Sequence, residues 1–526
     1  VRAYRLADPG AFALRCDLAH PGPDRTAFRL SFRERLPVGG ASGVFVKRID
    51  IGRHDQPVSL RISLAHAVAR IAQRVGFCAI RALLQRCQLA RSAQSLAAGH
   101  RANLRLDAPD AIGGFVEQQD RAVAIGHRGL HPVRGIDSQY LGQLAIDRVE
   151  LRRKNFISPG RMPFTTAANE IYDSGDFERV IDTVIEKADW KNFETRRAEA
   201  KPLGRKRGIG LCYYIESTMG DPGEAAEVRF EEDGTVCVLV GTQSNGQGHE
   251  TAYAQVASDR LGLPIEKIRI VQGDTDLIAT GGGTGGSRSL TAQATAIDAA
   301  ADLVIERGKH YAAQGLEAAV ADIEFDEGTF KIAGTDRHIA ILDLARQARK
   351  MDAPSEEIDG GLDARGAITL PAWTFPNGCH VAEVEIDSQT GVTTLQRYTI
   401  VDDFGTLVNP LLVEGQVHGG IAQGVGQALL EKTVYSDDGQ LLSGSFMDYC
   451  MPRADDLPSF DFSNVVIPCQ NNPRGIKGCG EAGSVAAPAA IINAVVDALA
   501  KDGIDHVDMP ATPQTIWQTI QSSSAP

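Results

Sequence analysis

The sequence predicts a mixed α/β (α+β) fold of two similar halves, preceded by an Arg-rich block that it leaves unassigned. Three features carry that expectation. From about Leu144 onward, short strand-like runs alternate with helical patterns. Glycine-rich loops recur in both halves where an apolar strand hands over to a helix. The charge balance also flips along the chain. Residues 1–150 carry 22 Lys and Arg against 13 Asp and Glu, a net +9, which leaves −22 on the remainder of a chain whose total is −13.

Taken in order, residues 1–143 show little periodicity apart from helix-like stretches near Leu64–Leu89. Without a sustained period they cannot bury enough apolar surface to offset ordering costs of roughly 1–2 kcal/mol per residue. The block is therefore expected to be aberrant or poorly ordered. Ile146–Phe156 (IDRVELRRKNF) reads as a helix stopped by Ser158-Pro159-Gly160, and Ser174–Ala200 as a charged amphipathic helix closed by Pro202. Strand patterns at Gly208–Glu216, Ala226–Phe230 and Val236–Val240 lead to a helix at His249–Leu261. A strand at Ile268–Val271 follows, then a long Ala-rich helix from about Ser289. Ile323–Ile332 is strand-like around the turn Glu327-Gly328. The Asp-, Gly- and Pro-rich stretch Asp352–Gly366 is the candidate boundary. Strands at Cys379–Ile386 and Val392–Asp402 and helices at Val413–Leu430 and Val485–Leu499 make the second half. The expected domains are thus residues 1–143, 144–366 and 367–526.

Composition narrows the function classes. A chain of 526 residues should hold two to four domains at ~150 residues each. Its apolar content of 43% and charged content of 23% are ordinary for a soluble globular protein. No apolar run approaches the ~18 residues of a membrane span, so none is expected. The opening VRAYRLADPG lacks the charged-then-apolar pattern of a signal peptide. The nine cysteines form no CxxC pair, which argues against zinc ribbons, locally held iron–sulfur clusters and a disulfide framework. A reducing, cytoplasmic compartment is the simplest expectation. The Arg-rich block, with Lys47 its one lysine, has the charge of a nucleic-acid arm, but its arginines are spread among Ala, Leu and Gly without aromatic interleaving, so no nucleic-acid partner is expected. The same composition is what an out-of-frame reading of a GC-rich gene would give.

The chemistry-bearing motifs lie downstream. Between Thr242 and Leu290 two glycine-rich loops each open a helix. Such loops bring bare backbone N–H groups up to an anion, and the helix dipole favours negative charge there. Two in tandem suit an elongated ligand, such as a dinucleotide or a pterin with a phosphate tail. A nicotinamide-dinucleotide dehydrogenase is a weaker reading, because no GxGxxG closes a first βαβ unit with an acid about 20 residues on. Val413–Leu430 carries glycines at 415, 419, 420, 424 and 426, each costing roughly 1 kcal/mol in a helix interior. Either tight helix packing or a closely approaching ligand accounts for them. Gln416, Gln423 and Gln427 offer amides to a planar heterocycle or to the backbone. In GIKGCGEAGS, Glu481 sits among glycines at a helix mouth, as a dipole complement or as a general base facing a cleft.

In this order and at these separations, GQGHET, GTGGSRS, VEGQVHGGIAQGVGQAL and GCGEAG resemble the molybdenum-cofactor-binding large subunits of the xanthine dehydrogenase/aldehyde oxidase family. They are most similar to the bacterial branch that includes carbon monoxide dehydrogenase large subunits. The likeness runs from about Leu144 to Ala500 and matches the C-terminal portion of such subunits. It implies that both halves bind cofactor, in the form of molybdopterin cytosine dinucleotide with its molybdenum held through the pterin rather than by protein ligands. It assigns Asn245, Gly246, Gln247 and Gly248 to the pterin, with Gln416 as a further pterin-side amide. Thr284, Gly285, Gly286, Ser287, Arg288 and Ser289 fall at the pyrophosphate or nucleotide, Ser287 and Arg288 toward phosphate oxygens. Glu481 becomes the catalytic base.

The implied function is that of a molybdenum hydroxylase large subunit, oxidising an aldehyde or N-heterocycle-type carbon of a small molecule with water as the oxygen source. Its implied partners are an iron–sulfur subunit with 2Fe–2S clusters and an FAD-binding subunit, in a dimer of heterotrimers. There are departures. The GGGFG-type loop, the glutamine near the metal and the AYRG-type arginine loop found upstream in the family are not intact in residues 1–143. Gly113-Gly114-Phe115 is at most a fragment of the first, and VRAYR stands at the wrong distance for the last. The alternative expectation is a truncated or frame-shifted non-catalytic remnant of that family.

Overall fold

The computed structural model describes three leading strands and residues 146–523, apart from 356, 357 and 359. The leading strands, β1 (Ala13–Ala19), β2 (Ala27–Val38) and β3 (Ala41–Ile51), form an antiparallel meander in chain order. Sequence periodicity places no strand here. The signals were the alternation Phe28, Leu30, Phe32 and the Gly39-Gly40 dipeptide between the paired residues Val38 and Ala41. The helix-like stretch at 64–89, Gly113-Gly114-Phe115 and the boundary at 143 lie outside the described residues.

Helix α1 (Arg148–Asn155) begins where the Asp147 carboxylate accepts from the Val149 and Glu150 N–H groups. The single helix expected over Ser174–Ala200 is two, α2 (Phe177–Lys187) and α3 (Phe193–Ala200). The chain breaks at Asp189, which is left-handed with φ 50°. The break turns Phe193 into the same buried cluster as Val180, Ile181 and Val184, which one straight helix could not do.

Two four-stranded sheets follow one plan. In the first, β5 (Gly223–Phe230) and β6 (Val236–Val240) pair antiparallel, and α4 (His249–Leu261) crosses to β7 (Ile268–Gln272), parallel to β6. A glycine-rich loop then opens the long helix α5 (Ser289–Gly315). After a hairpin that turns at Glu327-Gly328, as expected, β8 (Ala364–Thr369) closes the sheet antiparallel against β5. In the second, β9 (Asn377–Asp387) and β10 (Thr393–Asp403) pair antiparallel, and α6 (Pro410–Val425) leads to β11 (Phe460–Asn464), parallel to β10. Another glycine-rich loop opens α7 (Ala482–Leu499). The fourth strand, β4 (Arg205–Ile215), comes from early in the chain and pairs antiparallel along the full length of β9. The protein thus has the mixed α/β fold of two similar halves.

The halves interleave, which moves the domain boundaries. The expected cut at 366/367 falls inside β8, which belongs to the first sheet. Residues 146–215 pack with the second sheet rather than the first, because β4 finds its partner in β9, more than a hundred residues downstream. Gly208 and Gly210 let α7 lie directly on β4; a side chain at either would collide with the Ala494 or Ala490 carbonyl oxygen. Each sheet buries one alanine-rich helix. On α5 the face is Ala296, Ile297, Ala300 and Val304, and on α7 it is Ala490, Ile491, Ala494 and Val495, all 0% exposed. The segment Ala482–Asp502, with a mean hydropathy of 1.6, is long and apolar enough to cross a membrane by length and composition alone. It is spent as a core helix between β4 and α6.

Candidate active site

The second half anchors the Glu481 loop with a buried ion pair. Lys477 and Asp403 are both 0% exposed along their side chains, and Lys477 Nζ lies 2.5 Å from Asp403 Oδ2. Asp403 also accepts from Asn377 Nδ2 and from the Gly405 and Ile467 N–H groups. Burial pushes the Asp403 carboxyl upward, against the pull of Lys477. Beyond Lys477 the chain runs through Gly478 and Gly480 to Glu481, the residue that precedes the first turn of α7.

The first half brings two loops to the same place. Residues 241–248 and 280–288 lie side by side. Thr284 Oγ1 accepts from the Gln243 N–H at 3.1 Å and donates to the Gln243 carbonyl at 2.6 Å. A side-chain carbon on Gly241 would sit 2.5 Å from Gly281 Cα, so the backbones touch there. The second loop meets the Glu481 loop in turn. Ser287 Oγ lies 2.7 Å from Glu216 Oε1 and 2.8 Å from Glu481 Oε2, and it accepts the Glu481 N–H at 3.1 Å. Any side chain on Gly478 would collide with the Ser287 carbonyl oxygen. The helices close the ring. Gly248 abuts Leu412 at the start of α6, Asn409 Nδ2 donates to Gln255 Oε1 on α4, and Gly420 of α6 packs on Gly483 of α7.

The residues singled out in the sequence lie on or beside these loops and helices. Asn245 and Gly246 are exposed, and Gln247 is half-buried, its Oε1 accepting from the Asn245 N–H at 2.5 Å. Gly248 is left-handed (φ 74°) just before α4. Gly285 faces open space, and Gly286 (φ 62°) packs tightly on the Met219 backbone. Ser289 Oγ reaches Thr284 Oγ1 at 3.3 Å, and Gln416 is half-buried on α6.

The Arg288 side chain turns back into the fold. It is 2% exposed and bonded to Glu224 Oε2 (3.1 Å), the Gly223 carbonyl (3.0 Å) and the Gly283 carbonyl (2.9 Å). Glu224 also accepts from the Gly282 N–H, so the pair staples the loop to β5 from behind. Ser287, expected at a phosphate, turns its hydroxyl to the two carboxyl groups instead, because its own backbone is left-handed (φ 56°). The five glycines of the 413–430 segment sort into two sets. Gly420, Gly424 and Gly426 are packed against neighbours, whereas a side chain at Gly415 or Gly419 would meet nothing within 4 Å.

Against known proteins, the sequence profile of the molybdopterin cofactor-binding domain matches residues 183–458. The carbon monoxide dehydrogenase large chain of Hydrogenophaga pseudoflava is 33% identical over 394 residues, covering 72% of this chain and 49% of the relative. The chain belongs to the molybdenum-cofactor-binding large subunits of the xanthine dehydrogenase family. It spans about half the length of the curated relatives it matches. A second member of this family, the nicotine 6-hydroxylase large subunit of Paenarthrobacter nicotinovorans, is 33% identical over 391 residues, covering 71% of this chain and 47% of that one. Among solved structures of the family, quinoline 2-oxidoreductase from Pseudomonas putida 86 superposes with a TM-score of 0.67 at 35% identity, covering 73% of this chain and 50% of that chain. Family motifs located the three loops. Sequence carries no signal for Glu216, Glu224 or Asp403, each a lone acid at or beside a strand end, and nothing local in GIKGCGEAGS marks Lys477 for its buried pairing.

Proposed function

We propose that this chain supplies the cofactor-holding, base-carrying side of a molybdenum hydroxylase active site, and that Glu481 is its catalytic base. The observation that carries this is the convergence of three glycine-rich loops on one place, with the Glu481 carboxyl group at their junction. The residues fit an elongated, anionic, planar group. Side-chain carbons at Gly246, Gly283, Gly285, Gly415 and Gly419 would meet nothing within 4 Å, so bare backbone borders open space along the loops and α6. Helices α4 and α5 start without a side-chain cap, leaving N–H groups for an anion.

When bound, the molybdopterin, which we take to be the cytosine dinucleotide form, supplies the redox chemistry and Lewis acidity. The protein supplies the rest. Gln247, Gln416 and the 245–248 backbone orient the pterin end. The Thr284–Gly286 backbone receives the phosphate end, stiffened by the Arg288–Glu224 staple. Glu481 takes a proton during attack by a water-derived oxygen on an electron-poor carbon, of the aldehyde or N-heterocycle type. The N-heterocyclic compounds in two relatives' names, nicotine and quinoline, favour that class. The complete enzyme is proposed to work in the cytoplasm with a 2Fe–2S subunit and an FAD-binding subunit, as a dimer of heterotrimers.

Metal analysis and one variant test the reading in the assembled complex. The protein should carry molybdenum, and Glu481→Gln should keep that content while turnover falls about 10²–10⁴-fold. Undiminished turnover in the variant would overturn the assignment. Absence of molybdenum from the wild-type complex would favour the non-catalytic remnant.

A further inference from the structure

Glu216 stands at the end of β4 with no role in the mechanism so far, yet it meets the same hydroxyl as Glu481. A serine hydroxyl has one proton to donate and two lone pairs to accept with. At Ser287 one lone pair takes the Glu481 N–H (3.1 Å). The hydroxyl proton satisfies one carboxylate. The other carboxyl group, also under 3 Å away, has only the remaining lone pair to meet. Two ionised carboxylates would leave an acceptor facing a lone pair with no proton between them. The arrangement closes when one carboxyl group is protonated, and the two carboxyl groups also lie within hydrogen-bond reach of each other, so one proton serves both.

We infer that Glu216 is a positioning residue for Glu481, the two carboxyl groups holding one proton between them through Ser287, with that proton resident on Glu216. The hydrogen bonds then run in one direction, from the Glu216 acid to Ser287 Oγ and from the Ser287 hydroxyl to the Glu481 carboxylate. That polarity keeps Glu481 ionised and aimed, ready to accept a proton, while no second negative charge sits beside it. The inference rests on the reading of Glu481 as the base.

Three further observations support it. Among the described residues, the groups that interact electrostatically with Glu216 include Glu481 and Cys479 from the α7 loop, Asp402 from β10 and Tyr214 from its own strand, none of them a cation. Lys477, the buried cation of that loop, is committed to Asp403. Burial, with the Glu481 charge adding to it, pushes the Glu216 carboxyl up to about 8. Ser287 is also held in a left-handed backbone conformation that non-glycine residues rarely adopt, clamped by Gly478 against its carbonyl. A glycine would sit there without strain, but it would carry no hydroxyl.

Infrared spectroscopy of the purified protein reads the proton directly. At neutral pH the wild type should show a protonated-carboxyl C=O band that disappears as pH rises through about 8. The band should be absent from Glu216→Gln and retained in Glu481→Gln. The reverse pattern would put the proton on Glu481 and overturn the assignment, and no pH-dependent band in the wild type would overturn the shared proton. In the assembled enzyme Glu216→Gln, whose amide still donates to Ser287, should keep turnover within a few-fold at neutral pH. It should also lose the wild-type decline above about pH 8. A Glu481→Gln variant with undiminished turnover would sink the base assignment while leaving the infrared result standing, so the two readings fail separately.

Discussion

Replacing Arg288 with alanine separates two accounts of the second glycine-rich loop. If the guanidinium were a ligand for phosphate, it would be a surface group in the cofactor-free protein, and its loss would change stability by no more than about 0.5 kcal/mol. In the structure it is 2% exposed, paired with a fully buried Glu224 and bonded to two carbonyl oxygens. Removing it strands the Glu224 carboxylate in the interior with, among the described residues, the Gly282 and Ala225 N–H groups as its remaining donors. Breaking a buried pair in this way costs about 3–5 kcal/mol, most of it from the charge left behind. Denaturant midpoints of cofactor-free Arg288→Ala should fall by that equivalent. Glu224→Gln in the same background should recover part of the loss, giving a coupling of roughly 0.5–3 kcal/mol in a double-mutant cycle. A variant as stable as the wild type, with additive double-mutant behaviour, would refute the staple and return Arg288 to the ligand side.

Other perturbations follow from the same geometry. Gly483→Ala drives a methyl group into the α6 backbone at Val417 and Ile421 and should cost about 1–3 kcal/mol by thermal unfolding. Gly415→Ala meets open space and should stabilise the cofactor-free protein by up to about 1 kcal/mol while lowering molybdenum retention. Lys477→Met leaves Asp403 buried without its cation and should cost about 3–5 kcal/mol, measurable by chemical denaturation. Glu216 also gives a pH dependence of stability. Its carboxyl is raised from 4.5 to about 8 in the folded state, so the folded protein holds the extra proton between those values. Its contribution is complete below about 4.5 and is lost as pH rises through about 8, at up to about 1.4 kcal/mol per unit, a slope that Glu216→Gln should remove.

The sequence exposed what is local. A glycine run between an apolar strand and a helix announces a backbone loop at a helix N-terminus, and 241–248, 281–288 and 475–481 all fold that way. What stayed hidden depends on direction or distance. The Arg288 guanidinium and the Ser287 hydroxyl are adjacent in the chain, yet one turns inward to Glu224 and the other across to Glu216 and Glu481, a divergence set by a positive φ that no residue spacing reports. Strand β4 reads as a strand from its own residues, but its membership of the second sheet is fixed by β9, far along the chain.

The duplicated plan explains why the site lies where it does. In each half a helix crossover places a parallel edge strand, and the following loop delivers the long helix back onto the sheet. Arg288 and Glu481 therefore hold equivalent places, each the residue just before a long buried helix. The interleaving of β4 and β8 ties the halves together and sets these two helix starts against each other. At one, the charged residue turns back into its own sheet and fixes the loop. At the other, the charged residue faces across to the opposing half, where Ser287 receives it. The same topological position thus yields a structural cation in one half and an accessible carboxyl group in the other, and the difference follows from which sheet offers a buried partner. Glu224 on β5 does so for Arg288, whereas Glu481 meets Ser287, which also meets Glu216, across the junction.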